Sequence, residues 1–172
     1  STSQQATGDL TEFYMWVDEE GRMVWLSDIT PELFEQYEDV NLSERDYFTN
    51  PRDTGSLYYS TVVISNDGVP RMYVSSPISG PEGQFKGILA AGIRLDVLGS
   101  YLRSQISPGL EGSVGMMDRS GNILYSENFD LIGTHIYDES FQSVLPEELK
   151  ESFNAFLARS LSGGSGAEDL SF

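Results

Sequence analysis

Apolar residues near the start of the chain recur at every second position. Phe13, Met15 and Val17 alternate with Tyr14 and Trp16, which predicts a strand with apolar side chains on both faces. Such a sheet is expected to be covered by helices over at least part of each side. Asp18-Glu19-Glu20-Gly21 then turns the chain into a second strand, Arg22 to Ser27, closing a tight hairpin. After it the period lengthens. Thr30-Pro31 is a helix entry, with threonine as cap and proline in the first turn, and Leu33, Phe34 and Tyr37 form the stripe of a short helix.

The stretch from Asn41 to Ile78 holds the most local information. Ser43 is expected to cap a helix, with Asp46 three residues on as a weak capping box. Arg45, Tyr47 and Phe48 then crowd one helical segment, one permanent cation beside two aromatic rings. Two strand-like runs follow, Leu57 to Ser65 and Arg71 to Ile78, joined by the hairpin turn Asn66-Asp67-Gly68. A Gly- and Pro-rich loop, Ser79 to Gly83, leads to a last strand, Phe85 to Ile93. Gly87 and Gly92 in that strand mark close approaches to the backbone. Leu95, Leu98 and Leu102 fit an exit helix that ends near Ser107-Pro108-Gly109.

The hairpin then recurs. Val17 to Trp25 (VDEEGRMVW) is echoed one hundred residues later by Met117 to Tyr125 (MDRSGNILY), with Asp18 matching Asp118 and Gly21 matching Gly121. Asp caps each turn and Gly supplies its positive φ. A helical run from Pro146 to Leu161, with Leu149, Phe153, Phe156, Leu157 and Leu161 on one face, stops at Gly163-Gly164. Too little follows for the three strands that end the first copy. The expected organisation is a first, membrane-distal module over residues 9–107 and the beginning of a second, incomplete one over 108–172.

Charge narrows the partners. The 172 residues carry 27 acidic against 10 basic side chains, a net charge of −17, with Lys86 and Lys150 the two lysines. That balance argues against nucleic acid and anionic lipid, which both demand a basic face. With no cysteine, disulfides and thiolate metal sites are excluded. No run is long enough to cross a bilayer and no secretory signal is present, so membrane attachment is expected only through segments absent from this sequence.

Reaction chemistry finds little support. There is no G-x-S-x-G elbow, phosphate-binding loop, H-E-x-x-H or cysteine nucleophile. His135 has no cysteine partners for a zinc site, and Asp118 to Asn122 lacks the acids of a calcium loop. No metal and no cofactor are expected. A pair of catalytic carboxylates, as in a hydrolase, is a distant alternative.

The segments LSERDYF, YVSSPI and QFKGILAAGIRLDVL, in that order and spacing between Phe13 and Ser126, resemble the Cache superfamily of PAS-like extracytoplasmic sensor domains. The hundred-residue echo makes the tandem form, double Cache, the more similar one. The resemblance implies an α+β fold, a five-stranded antiparallel sheet flanked by helices, with a ligand held between the sheet and the RDYF segment. It also implies helices that carry a signal into and out of a membrane, and through which two copies could pair.

The amino-acid-binding branch of that family carries an Arg-x-aromatic-aromatic segment, matched here by Arg45, Tyr47 and Phe48. It also carries a tyrosine and an aspartate two residues apart on the third strand and an aspartate on the last. Those three positions align with Val62, Ile64 and Gly92. The carboxylate-facing half of the motif is kept and the ammonium-facing half is lost, so a carboxylate without an amine is the expected ligand. Arg45 either anchors that anion or pairs with a local acid. Tyr59, Arg71, Tyr73, Ser75 and Gly92 complete the expected ligand-binding set with Tyr47 and Phe48, while Lys86 and Arg94 read as solvated edge residues. The expected function is ligand sensing, not catalysis, in the extracytoplasmic part of a membrane signalling protein, a sensor histidine kinase being favoured. The alternative is a ligand-free structural or protein-docking module.

Overall fold

The computed structural model describes residues 10–37, 40–65, 67–105 and 113–164. The chain divides into two units, Ser1–Tyr101 and Leu102–Phe172. In the first unit the strands are β1 (Thr11–Val17), β2 (Met23–Leu26), β3 (Tyr58–Tyr59), β4 (Val63–Ile64), β5 (Pro70–Ser79) and β6 (Phe85–Arg94). They form one antiparallel sheet in the order β2-β1-β6-β5-β3, and β4 follows β3 along the same edge of β5. Helix and antiparallel sheet mix as in a PAS-like domain.

Alternation along β1 resolves into two unlike faces. Met15 and Val17 are buried and join Ile88, Ala90, Tyr73 and Leu42 in the core, which is closed by Tyr47 and Phe48 of helix α2 (Asp46–Thr54). On the other face Trp25, Trp16 and Leu89 stand side by side across three strands, each more than 40 % exposed among the described residues. The sheet is therefore covered on one face by described residues, where covering over part of both was expected.

Gly87 and Gly92 are the close approaches anticipated for β6. A Cβ on Gly87 would lie 2.0 Å from the Val17 carbonyl oxygen, and one on Gly92 would lie 2.6 Å from the Phe13 ring. Gly92 also faces Phe13 directly across the β1–β6 ladder.

Three local expectations differ from the structure. Helix α2 starts at Asp46 with Arg45 as its N-cap, two residues after the cap expected at Ser43. The Ser43 N–H is taken by the Asn41 side chain at 2.8 Å, and Ser43 packs against Gly21. The helix at Pro31 is one turn, α1 (Pro31–Phe34), continued by a 3-10 turn to Tyr37, and it buries none of its stripe. The expected strand Leu57 to Ser65 is split into β3 and β4, because the Ser60 hydroxyl receives the Tyr73 N–H and donates to the Thr61 carbonyl. The side chain takes a ladder position that backbone groups would otherwise fill. Helix α3 (Leu95–Ser104) follows β6; the expected stop at Ser107-Pro108-Gly109 lies outside the described residues.

The second unit opens with the repeated hairpin, β7 (Met116–Met117) and β8 (Ile123–Tyr125), followed by α4 (Glu139–Gln142) and α5 (Lys150–Leu161). The echo is structural. One Asp18 oxygen accepts from the Glu20 and Arg22 amides at 3.1 and 2.8 Å, and one Asp118 oxygen accepts from Ser120 and Asn122 at 2.8 and 2.9 Å. Gly21 and Gly121 both have φ near +90°, and each offers its carbonyl to an incoming segment, to Leu42 and Ile136 respectively. His135 belongs to this scaffold. Its Nδ1 accepts the Tyr137 N–H, so Nε2 carries the proton and donates to the Ser120 carbonyl at 2.7 Å. Ile123, Leu131, Ile136 and Leu157 form a small core with Phe153 and Phe156 beside them.

Candidate functional site

In the first unit, α2 lies over the inner face of the sheet and presents Tyr47 to Tyr73 of β5. The two rings stack with centroids 4.3 Å apart. Burial raises the pKa of both phenols, most of all Tyr47, so both remain neutral and able to donate. A hydrogen bond with Ser65 and the positive charge of Arg71 pull Tyr73 back in part. Arg45 acts on both rings through its charge. It sits at the N-terminus of α2, exposed, and its guanidinium makes no ion pair or hydrogen bond among the described residues. The neighbouring Asp46 is engaged by the Tyr47 N–H and the Tyr58 hydroxyl.

Ser75 adds an unmet demand. It is 0 % exposed, lies on the inner face between Tyr58 of β3 and Ala90 of β6, and its hydroxyl has no hydrogen-bond partner among the described residues. A buried hydroxyl without a partner costs about 1–3 kcal/mol. Ser75→Ala is therefore expected to stabilise the unliganded domain by about 1 kcal/mol in urea unfolding. A loss of stability of that size would show that the hydroxyl is bonded after all.

The other expected site residues divide clearly. Phe48 is fully buried and meets Phe85 edge-on at 5.6 Å, deep in the core. Tyr59 is 61 % exposed and pairs with Val74, on the face away from α2. Gly92 lies under the Phe13 ring. Arg71 is 6 % exposed and already bound: Nε and Nη2 donate to Glu12 at 2.6 and 3.0 Å, and Nη1 and Nη2 donate to Asp67 at 2.8 Å each. That grip holds the Asp67 carboxyl down to about 2. The pair's contribution is thus present at neutral pH and lost as pH falls below the ordinary carboxylate range toward 2. Lys86 pairs with Glu19 and Arg94 with Asp96, both partly exposed.

The aligned third-strand positions, Val62 and Ile64, flank the residue that faces inward. Val63 pairs with Arg71 and packs against the core, whereas Ile64 is exposed opposite Pro70 and Val62 precedes the strand. No carboxylate arises at Val63 either. Glu12 and Asp67 bring carboxylates to this face by other routes. Glu12 is the extra residue of a β-bulge between Thr11 and Phe13, which turns it toward Arg71. Asp67 sits in the β4–β5 turn, four residues before Arg71 on the chain.

In the second unit a hollow of about 640 Å³ is lined mainly by apolar side chains, among them Met117, Ile123, Phe141, Phe153 and Phe156. Glu127 is its charged lining residue.

A family model described as Cache domain matches residues 2–168. No curated protein matches the chain by sequence. Among solved structures it is similar to an extracellular ligand binding receptor from Desulfohalobium retbaense (TM-score 0.64, 16% identity, covering 84% of this chain and 26% of that one). It is similar to the ligand-binding domain of the Pseudomonas fluorescens chemoreceptor CtaA in complex with L-valine (TM-score 0.61, 14% identity, 83% and 60%). It is also similar to the ligand-binding domain of the Pseudomonas aeruginosa amino acid chemoreceptor PctC in complex with GABA (TM-score 0.58, 17% identity, 73% and 54%). Histidine kinases are represented among such neighbours as well. The chain spans less than two thirds of the length of each of these chains.

Proposed function

Because this chain belongs to the Cache domain family, whose members are sensory ligand-binding modules and not catalysts, we propose that its first unit binds a small carboxylate beside Arg45. The observation that carries this is the contrast between its cations. Arg71, Lys86 and Arg94 are each paired with an acid, while Arg45 is unpaired among the described residues and acts electrostatically on the stacked Tyr47 and Tyr73. A guanidinium with a free planar fork suits a carboxylate, and neutral phenols and the Ser75 hydroxyl can donate to it.

The ligand's binding energy acts on signalling only through its difference between two arrangements of the domain. Arg45 stands at the start of α2, so a ligand tying it to the sheet favours the arrangement in which α2 is closed on β5. We place the unit in the extracytoplasmic part of a membrane signalling protein, with a histidine kinase as the favoured output. Cache domains typically occupy that position, and among the described residues no helix is long and apolar enough to cross a membrane.

A second reading, a ligand-free docking or spacer module, draws on the Tyr47–Tyr73 stack, which fills part of the space between α2 and the sheet with the protein's own rings. A thermal-shift series with acetate, propionate, butyrate and malate separates the two. Carboxylate binding raises the unfolding temperature with at least one of them, in a concentration-dependent way. A flat response throughout favours the docking module.

A further inference from the structure

Two carboxylates from separate parts of the fold converge on one point of the inner face, and the protein fills that point with its own cation. Glu12 comes from the β1 bulge and Asp67 from the β4–β5 turn, and together they take four hydrogen bonds from Arg71. We propose that Arg71 is a tethered stand-in for a ligand's ammonium group, occupying the acidic end of the site so that carboxylates lacking an amine are accepted and amine-bearing ones are refused.

The placement supports this role. Arg71 and Tyr73 share the inner face two residues apart on β5, a separation of about 7 Å. The Tyr73 phenol lies within electrostatic reach of Arg45 and of the Arg71–Glu12 pair alike. A short ligand with its carboxylate on Arg45, lying along the Tyr47–Tyr73 stack, directs its far end toward Arg71. An ammonium there finds the oxygens of Glu12 and Asp67 already bonded to a guanidinium, which cuts their charge from −2 to −1 and stands as a like charge beside it, so the attraction that would hold it is largely spent. An uncharged end meets no such penalty. Without Arg71 the two carboxylates carry a charge of −2 with nothing to balance it, which is an ammonium subsite.

The inference rests on the carboxylate reading only for its Arg45 end, and the Arg71 end is separable by a probe that has no carboxylate. Binding of n-butylammonium is measured by calorimetry to the wild type, to Arg71→Met and to the charge-balanced Glu12→Gln/Asp67→Asn/Arg71→Met variant, each checked for folding by near-UV circular dichroism. Arg71→Met is expected to bind n-butylammonium at least tenfold more tightly than the wild type, and the charge-balanced variant is expected to lose that gain. Should Arg71→Met not fold alone, Asp67→Asn/Arg71→Met keeps the Glu12 carboxylate and is expected to show a smaller gain of the same sign. No gain in any folded variant that retains Glu12, or an equal gain in the charge-balanced variant, overturns the inference. Loss of butyrate binding in Arg45→Ala is a different result and tests the carboxylate reading alone.

Discussion

Phe48→Ala is expected to cost about 3–5 kcal/mol of folding free energy, enough to leave a domain of ordinary stability marginal. The ring is fully buried, packs edge-on against Phe85 at 5.6 Å, and is how α2 is fastened to the sheet between Met15, Val17 and Ile88. Its removal leaves a cavity between α2 and the sheet, lined by the core residues that remain. Phe48→Leu keeps most of the volume and is expected to cost no more than about 1.5 kcal/mol. Urea unfolding of the two variants checks the pair. A cost below about 1 kcal/mol for Phe48→Ala would mean that the ring faces a ligand space and not the core.

Arg71→Ala carries the second large effect. Removing one partner of a buried ion pair strands the other charge, which typically costs about 3–5 kcal/mol. Here Arg71 is almost fully buried, but the Glu12 and Asp67 side chains are 31 % and 52 % exposed, so solvent relieves part of the stranded charge. The expected cost is about 3 kcal/mol, at the lower end of that range. Replacing all three groups by neutral ones of similar size should recover most of it, since the cost of burying the charges goes with them. Urea unfolding at neutral pH measures both variants. An Arg71→Ala cost below about 1 kcal/mol would place the guanidinium in water.

These residues also show how far the sequence was readable. The two Asp-Gly hairpin turns were legible because their chemistry is local: an aspartate oxygen caps the turn amides and glycine takes the positive φ, whatever surrounds them. The close approaches at Gly87 and Gly92 were legible for a similar reason, since a glycine inside a strand has few other uses. The sharing of one face by Arg71, Tyr73 and Ser75 followed from period two alone. Long-range pairing set the rest. Glu12 and Arg71 are 59 residues apart, and only the bulge turns Glu12 to the inner face. Asp67, four residues from Arg71 across a turn, could have been found from the sequence as its partner. Ser60 breaks the third strand by a side-chain bond that no propensity reveals, and with it the alternation that would put Val62 and Ile64 inside. Tyr59 points away from α2 because of that same strand's register against Val74.

The family's sensory character does not fix the ligand, and Arg45 is where the carboxylate reading stands or falls. Isothermal titration of the carboxylate giving the largest thermal shift is the direct measurement, with the wild type, Arg45→Ala and Arg45→Lys side by side. Loss of a charge-assisted bidentate contact is worth about 1.5–3 kcal/mol, roughly ten- to a hundredfold in affinity. Arg45→Ala should therefore weaken binding by at least tenfold, with Arg45→Lys intermediate and the stability of both variants unchanged, because Arg45 is exposed and its side chain makes no ion pair or hydrogen bond among the described residues. Equal affinity in the wild type and Arg45→Ala would contradict the anchoring of a carboxylate at this site.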